Sequence, residues 1–233
     1  MVIVLDVETI SISYNAISDI AWGIISRNQL KQTKCYIPQE TLSKQASGEF
    51  SAPKLPATMA EVERGNAKIK PWRDICRELA HDIEQAKYIY AYNATFDRQA
   101  IIRTSKMLAM SEIADYFSQT PIYDKWRDLW AWAANTILYK KSFIDFCESN
   151  GLTTPKGFCS TSAETCLKYI RRDLDYVEQH TALADIKDEF EIYKTIKKEI
   201  KAEYTEICLD EEEQNFKGKP FFTINKLKQA IQN

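Results

Sequence analysis

The chain begins with a nearly continuous apolar run, residues 2–7, which is rich in β-branched side chains. Such a run is typical of a central strand that is covered on both faces. Residues 17–26 and 29–37 are also β-prone, and only Arg27 and Asn28 separate them. This pattern predicts an antiparallel hairpin or meander beside the first strand.

The next segments predict a loop, a helix and a strand in that order. Residues 38–71 hold four of the seven prolines, which predicts a long surface loop with a helical turn around residues 59–64. Pro71 marks the start of a helix, on which Ile75, Leu79 and Ile83 recur at helical spacing. Residues 88–92 then predict a further strand.

Helices are predicted for most of the second half of the chain. Asn93 is a candidate cap for a helix that carries Ala100, Ile101, Met107 and Leu108. A second apolar stripe predicts a helix with Trp126, Leu129, Trp130, Ala133 and Ile137. Three more helices are predicted over residues 142–148, 161–170 and 181–204.

Strands followed by helices, with strand–helix–strand crossovers, predict an α/β fold. A chain of 233 residues that is 45% hydrophobic can bury a sizeable core, and we expect one domain over residues 1–204. Residues 205–233 form a separate tail with an acidic run and a Lys-rich end, which we expect to pack back or to bind a partner. The net charge of −2 argues against coating nucleic acid through bulk positive charge.

The cysteine and histidine content argues against a zinc site. The six cysteines form no Cys-x-x-Cys pair, and the only histidines are His81 and His180. No stretch of about 18 apolar residues is present, and no signal-peptide pattern precedes Val2. These features predict a cytoplasmic protein with reduced thiols and no membrane contact.

Asp6 and Glu8 stand two residues apart at the end of the first apolar run. Because strand side chains alternate with period two, both carboxylates lie on the same face. Two adjacent buried anions are costly unless a cation compensates them, which favours a metal site. Two solvated carboxylates beyond the strand end remain the alternative for this motif alone.

Two later segments add acids and a histidine. Asp97 lies in the first turn of the helix that follows the 88–92 strand, where an Asp also complements the helix dipole. His180 and Asp185 are five residues apart, about 140° around a regular helix at 100° per residue. Both can face one site only if His180 precedes the helix, with Thr181 as its cap.

In combination these motifs resemble the histidine-containing DEDD (DEDDh, DnaQ-like) 3′→5′ exonucleases, a family that includes the proofreading subunit of bacterial replicative DNA polymerases. Leu5-Asp6-Val7-Glu8-Thr9 resembles the first family motif, residues 92–97 (Tyr-Asn-Ala-Thr-Phe-Asp) the second, and His180 with Asp185 the third. The resemblance covers roughly residues 1–197. The chain departs from it after Thr9, where Ile10 and Ser11 replace the Thr-Gly of many members.

The resemblance implies a ribonuclease H-like fold with a five-stranded mixed sheet flanked by helices. It also implies a catalytic centre of two Mg²⁺ or Mn²⁺ ions, in which His180 takes the proton of the attacking water. The metal ligands that it implies are Asp6, Glu8, Asp97 and Asp185.

By the same resemblance, the chain releases nucleoside 5′-monophosphates from the 3′ end of single-stranded or frayed nucleic acid. Thr9, Asn93 and Phe96 are the candidate substrate contacts. We expect DNA to be favoured, and trimming of RNA, as in oligoribonuclease or RNase T, is the alternative. Two further alternatives are a non-catalytic module that binds a polymerase or other replication partner through the tail, and a metal-dependent phosphodiesterase of another substrate class.

Overall fold

The computed structural model describes residues 1–11, 16–50 and 55–203, with side chains up to residue 200. The described residues contain one six-stranded mixed sheet of order β4-β3-β2-β1-β5-β6. Its strands are β1 Val2–Thr9, β2 Ile17–Ser26, β3 Gln29–Pro38, β4 Lys68–Lys70, β5 Tyr88–Ala91 and β6 Trp126–Asp128.

Helices make up most of the remaining described chain. They are α1 Gln39–Ala46, α2 Leu55–Glu63, α3 Trp72–Gln85, α4 Ala94–Met107, α5 Ser111–Ser118, α6 Thr120–Tyr123, α7 Leu129–Thr136, α8 Lys141–Ser149, α9 Ala163–Arg171 and α10 Ala182–Glu203. The predicted α/β class, with a mixed sheet and flanking helices, is confirmed. The sheet has six strands instead of five because β4 adds an edge strand beside β3.

The first apolar run forms β1, the strand that joins the antiparallel and parallel parts of the sheet. It pairs with β2 in antiparallel and with β5 in parallel orientation. Ile3, Leu5 and Val7 lie on one face, in a buried cluster that includes Ile75 and Leu79 of α3. Full burial of one such side chain stabilises the fold by about 1.5–3 kcal/mol, which fixes the register of β1 and the face of its alternate residues.

The predicted hairpin is confirmed. Strands β2 and β3 pair with Ser26 opposite Gln29, so Arg27 and Asn28 form a two-residue turn. Both turn residues have positive φ, 51° and 60°. Two such residues match the right-handed twist of the strands that they connect.

The predicted loop over residues 38–71 is wrong for most of the described part. This stretch contains α1, α2 and β4, and the predicted helical turn at residues 59–64 falls largely within α2. Pro38 and Pro71 directly precede helices, as fixed proline φ angles favour. Strand β4 depends on tertiary pairing, since it forms as the parallel neighbour of the end of β3.

The predicted order of helix, strand and helix after Pro71 is confirmed by α3, β5 and α4. Ile75, Leu79 and Ile83 are all buried along one face of α3. Asn93 stands directly before α4, as predicted, but its side chain makes no capping hydrogen bond. Its φ of 77° is left-handed, a conformation that asparagine tolerates better than most residues.

The prediction that Trp126 shares a helix with Leu129 is wrong. Trp126 lies in β6, and the amide of Ile89 in β5 donates to the carbonyl of Lys125 just before it. Asp128 then starts α7, because its side chain accepts hydrogen bonds from the amides of Trp130 and Ala131.

The three predicted later helices are confirmed as α8, α9 and α10, with ends shifted by one to two residues. The described chain divides into two compact units, one of Met1–Trp126 with Gln179–Lys187, the other of Arg127–Glu178 with the described residues from 188 onward. The predicted single domain over 1–204 stays a prediction, and the 205–233 tail lies outside the described residues. None of the described helices has the length and apolar character that crossing a bilayer requires.

Candidate metal centre

Asp6 and Glu8 lie on the face of β1 opposite the buried side chains of Leu5 and Val7. Both acids are half-buried, whereas Val7 between them is buried. In the antiparallel pair with β2, Asp6 stands opposite Ala21 and Glu8 opposite Asp19. The register then shifts after Glu8, a bulge of the kind that often lies beside functional sites.

Asp97 is fixed against β1 by a hydrogen bond to its backbone. Its Oδ1 accepts from the amide of Val7 at 3.2 Å, and the side chain is buried. Strand β5 pairs with β1 only as far as Val4, so the Val7 amide lies beyond the end of β5. The first turn of α4 therefore brings Asp97 to the backbone between Asp6 and Glu8.

His180 and Asp185 lie on the approach to α10 and in its first turn. The helix begins at Ala182, so His180 precedes it, as the spacing predicts. His180 is exposed and has a φ of 52°, while Asp185 is buried. The carbonyl of Thr181 accepts from the amide of Asp185 at 3.0 Å, which closes the first turn.

Three of the predicted site residues converge on one point. One ligand atom from each of Glu8, His180 and Asp185 lies within 4.8 Å of the others, although residues 8 and 185 are far apart in sequence. Asp6 and Asp97 do not belong to this group of three among the described residues. They lie next to it, Asp6 on the same face of β1 and Asp97 at the amide of Val7.

The donor set fits hard divalent ions. Carboxylate oxygens are the ligands that Mg²⁺ and Mn²⁺ prefer, and four acids with a single imidazole supply mostly oxygen. Asp6 Oδ2, Asp97 Oδ2 and Asp185 Oδ1 are buried from solvent. Ionised carboxylates in such a place are costly without a compensating positive charge, so a cation suits the arrangement.

The thiol of Cys35 responds to the negative charge on this face of the sheet. Cys35 stands opposite Ala21, which in turn stands opposite Asp6, so the three lie in one row across three strands. Burial first, and then the charges of Asp19, Glu61 and Asp6, raise the pKa of Cys35 to about 12. Lys187 of α10 acts in the opposite direction.

The predicted substrate contacts lie on the elements that carry the acids. Thr9 is the last residue of β1 and is half-exposed. Asn93 is exposed at the start of α4, and Phe96, 38% exposed, directly precedes Asp97. An aromatic ring that is accessible beside an acidic site is a candidate for stacking on a base. The three roles remain predictions.

Two basic side chains in the helical second half of the chain have acidic protein partners. Lys140 forms an ion pair with Glu199, and Arg171 forms ion pairs with Asp188 and Glu191. These pairs favour a structural role for these two side chains over phosphate binding. Trp126 is buried, which favours core packing over stacking on a nucleic acid.

Asp19 is a carboxylate of this region that the sequence patterns did not single out. It is 2% exposed, and its Oδ2 accepts from the amide of Ala182 at 2.9 Å. Its Oδ1 accepts from the hydroxyl of Ser18, also at 2.9 Å. The available signal was the only charged residue of the β-prone segment Ile17–Ser26, because a buried charge in a strand requires specific partners.

Comparisons with known proteins give a similarity to a solved structure. No family model matches the sequence, and no curated protein matches it. Among solved structures, the chain is similar to "Exonuclease X in complex with 5′ overhanging duplex DNA", with 15% sequence identity and a TM-score of 0.46. The alignment covers 94% of this chain and 100% of that one.

Proposed function

We propose that the chain is a metal-dependent 3′→5′ exonuclease that hydrolyses the terminal phosphodiester bond of single-stranded or frayed nucleic acid, with DNA favoured. The observation that carries the proposal is the convergence of Glu8, His180 and Asp185 to within 4.8 Å. Asp6 and Asp97 adjoin this group through β1. This proximity of the three motifs that resemble the DEDDh family supports the proposal.

The five side chains have separable roles in this proposal. Asp6, Glu8 and Asp185 would hold one divalent ion, and Asp6 with Asp97 a second. Bound there, two divalent ions supply an activated water and stabilise the leaving 3′ oxygen. The buried Asp97 and Asp185 belong to helix first turns and hold fixed positions, which suits metal ligands.

His180 differs from the acids in being exposed on a segment that precedes α10. An imidazole is the side chain that most often acts as a general base, and it can take a proton from a water within hydrogen-bond reach. In the proposal His180 removes the proton of the attacking water and releases it to solvent. Its exposure favours that release.

Digestion of 3′-labelled and 5′-labelled oligonucleotides tests the proposal. Single-stranded DNA and RNA of the same sequence are incubated with Mg²⁺ or Mn²⁺, with EDTA as the metal-free control. The expected result is stepwise loss from the 3′ end, abolished by EDTA, with the faster polymer identifying the preferred sugar. Absence of cleavage of either polymer would refute the exonuclease proposal and favour a non-catalytic module.

Two pairs of variants separate the site from general damage. His180→Ala should lower kcat about 10²- to 10⁴-fold, the usual contribution of a general base. His81→Ala changes the other histidine, which is exposed on α3, and should leave kcat unchanged. Asp185→Asn should abolish cleavage, whereas Asp115→Asn, at an exposed position of α5, should not.

A further inference from the structure

Asp19 connects the strand β2 to the start of α10. Its Oδ2 accepts the amide hydrogen of Ala182 across a sequence separation of 163 residues. Ala182 is the first residue of α10 and is 0% exposed, so water does not reach its amide. The first amides of a helix lack partners within the helix, and here a strand carboxylate provides one.

The same carboxylate is placed beside the acids of β1. Asp19 stands directly opposite Glu8 in the antiparallel pair, so the two side chains share a face of the sheet. Asp185 lies three residues after Ala182, in the helical turn that Asp19 holds. A single side chain thus contacts the backbone of the helix that supplies one ligand and stands next to the strand residue that supplies another.

Both carboxylate oxygens of Asp19 accept hydrogen bonds from protein groups. One oxygen accepts from the Ala182 amide and the other from the Ser18 hydroxyl, each at 2.9 Å. Asp19 also does not belong to the group formed by Glu8, His180 and Asp185 among the described residues. Its two hydrogen bonds favour a supporting role over direct coordination of an ion.

We infer that Asp19 is a positioning residue, which sets the distance of Asp185 and His180 from Glu8 by holding the first turn of α10 against β2. This inference rests on the proposed metal-dependent function. Removal of a group that orients a metal ligand typically lowers metal affinity by about 10- to 100-fold. A carboxylate near a helix N-terminus also complements the helix dipole.

The first test measures Mn²⁺ affinity by calorimetry in wild type, Asp19→Ala, Asp19→Asn and the control Asp82→Ala. Asp82 is a matched buried carboxylate, since it accepts hydrogen bonds from Trp22 of β2 and Lys34 of β3, both at 2.7 Å. All four proteins are compared at a temperature at which circular dichroism shows them folded.

The expected result is a loss of about 10-fold or more in Mn²⁺ affinity for Asp19→Ala. Asp19→Asn retains an oxygen acceptor for the Ala182 amide, so its loss should be smaller. Asp82→Ala should bind Mn²⁺ like wild type although its stability is reduced. Equal Mn²⁺ affinity in Asp19→Ala and wild type would overturn the positioning role, even if Asp19→Ala is less stable.

The second test does not depend on metal. Hydrogen exchange followed by NMR should show protection of the Ala182 amide in wild type and Asp82→Ala, and faster exchange in Asp19→Ala. Unchanged protection in Asp19→Ala would show that Asp19 does not hold the helix start. If the Ala182 amide is exposed by Asp19→Ala but wild type binds no divalent ion, the proposed function fails, and with it the positioning role.

Discussion

Alternate side chains of β1 have opposite surroundings. Leu5 and Val7 are buried in the apolar cluster that includes α3, whereas Asp6 and Glu8 on the other face are half-buried among acids. The side chain of Val7 is buried, but its backbone amide donates a hydrogen bond to Asp97 of the candidate site. At the scale of single residues, burial of Leu5 and Val7 therefore fixes the direction in which Asp6 and Glu8 point.

The described thiols are a residue-scale consequence of the same burial. Cys35, Cys76, Cys147, Cys159 and Cys166 are all buried. Burial raises the pKa of Cys166 to about 12, and burial together with nearby carboxylates raises that of Cys35 to about 12. Thiolate is the reactive form of cysteine, so these side chains should be inert in the native protein.

We therefore predict that native Cys35 and Cys166 resist iodoacetamide at pH 8. A pKa of about 12 leaves on the order of one thiol in 10⁴ ionised at that pH. Mass spectrometry of peptides before and after unfolding in urea measures the modification. A Cys208→Ser background removes the one cysteine outside the described residues. Complete alkylation of Cys35 within minutes in native protein would contradict the prediction.

At the scale of elements, a small charged cluster joins β3, β4 and α3. The hydroxyl of Tyr36 donates to Glu78 at 2.7 Å, and Lys70 forms an ion pair with the same carboxylate. Partial burial acts to raise the pKa of Glu78, but the hydrogen bonds from Lys70 and Tyr36 outweigh it and lower the pKa below 4.5. The hydrogen bond to Glu78 raises the pKa of Lys70.

This cluster predicts a pH-dependent contribution to stability. The pKa of Glu78 is lowered in the fold from its ordinary value of 4.5. Its contribution to the free energy of unfolding is therefore complete above that pH, and it is lost as pH falls through the lower pKa of the folded state. At the alkaline end, the raised pKa of Lys70 means that the contribution is lost as pH rises through its folded value. The side chains are partly exposed, so the gain is at most about 1 kcal/mol.

Urea unfolding of wild type and Lys70→Met at pH 7 and pH 3 measures this contribution. At pH 7 wild type should be more stable than Lys70→Met, and this difference between the two proteins should be smaller at pH 3. Lys68→Met is the matched control, since Lys68 is an exposed residue of the same strand. A difference between wild type and Lys70→Met that is the same at both pH values would refute the electrostatic explanation.

At the scale of the whole molecule, the candidate site joins parts of the chain that are distant in sequence. Its side chains come from β1, the start of α4 and the start of α10. An unfolded chain does not hold these groups together, so an ion that binds them should stabilise the native state. Removal of the ion should have the opposite effect.

We predict that Mn²⁺ at one hundred times its Kd stabilises the protein by about 2.7 kcal/mol, or about 5–10 °C in Tm. Thermal unfolding with Mn²⁺ and with EDTA measures the shift. Glu8→Gln should greatly reduce it, whereas Glu63→Gln, at the exposed end of α2, should retain it. A shift of equal size in Glu8→Gln would show that the ion binds elsewhere.

Features that depend on neighbouring residues can be predicted from the sequence. Side-chain periodicity and turn chemistry predict strand β1, the turn at Arg27 and Asn28, and the apolar stripe of α3. The structure has all three at the predicted positions. The spacing of His180 and Asp185 likewise required the histidine to precede the helix. The metal and catalytic roles remain predictions.

Features that depend on distant partners become visible in the folded chain. Strand β4 exists because the end of β3 pairs with it. Trp126 lies in a strand because its segment pairs with β5, which is distant in sequence. The hydrogen bond of Asp19 to Ala182 joins residues that are 163 positions apart. No local pattern specifies such contacts, because their stability comes from groups that only folding brings together.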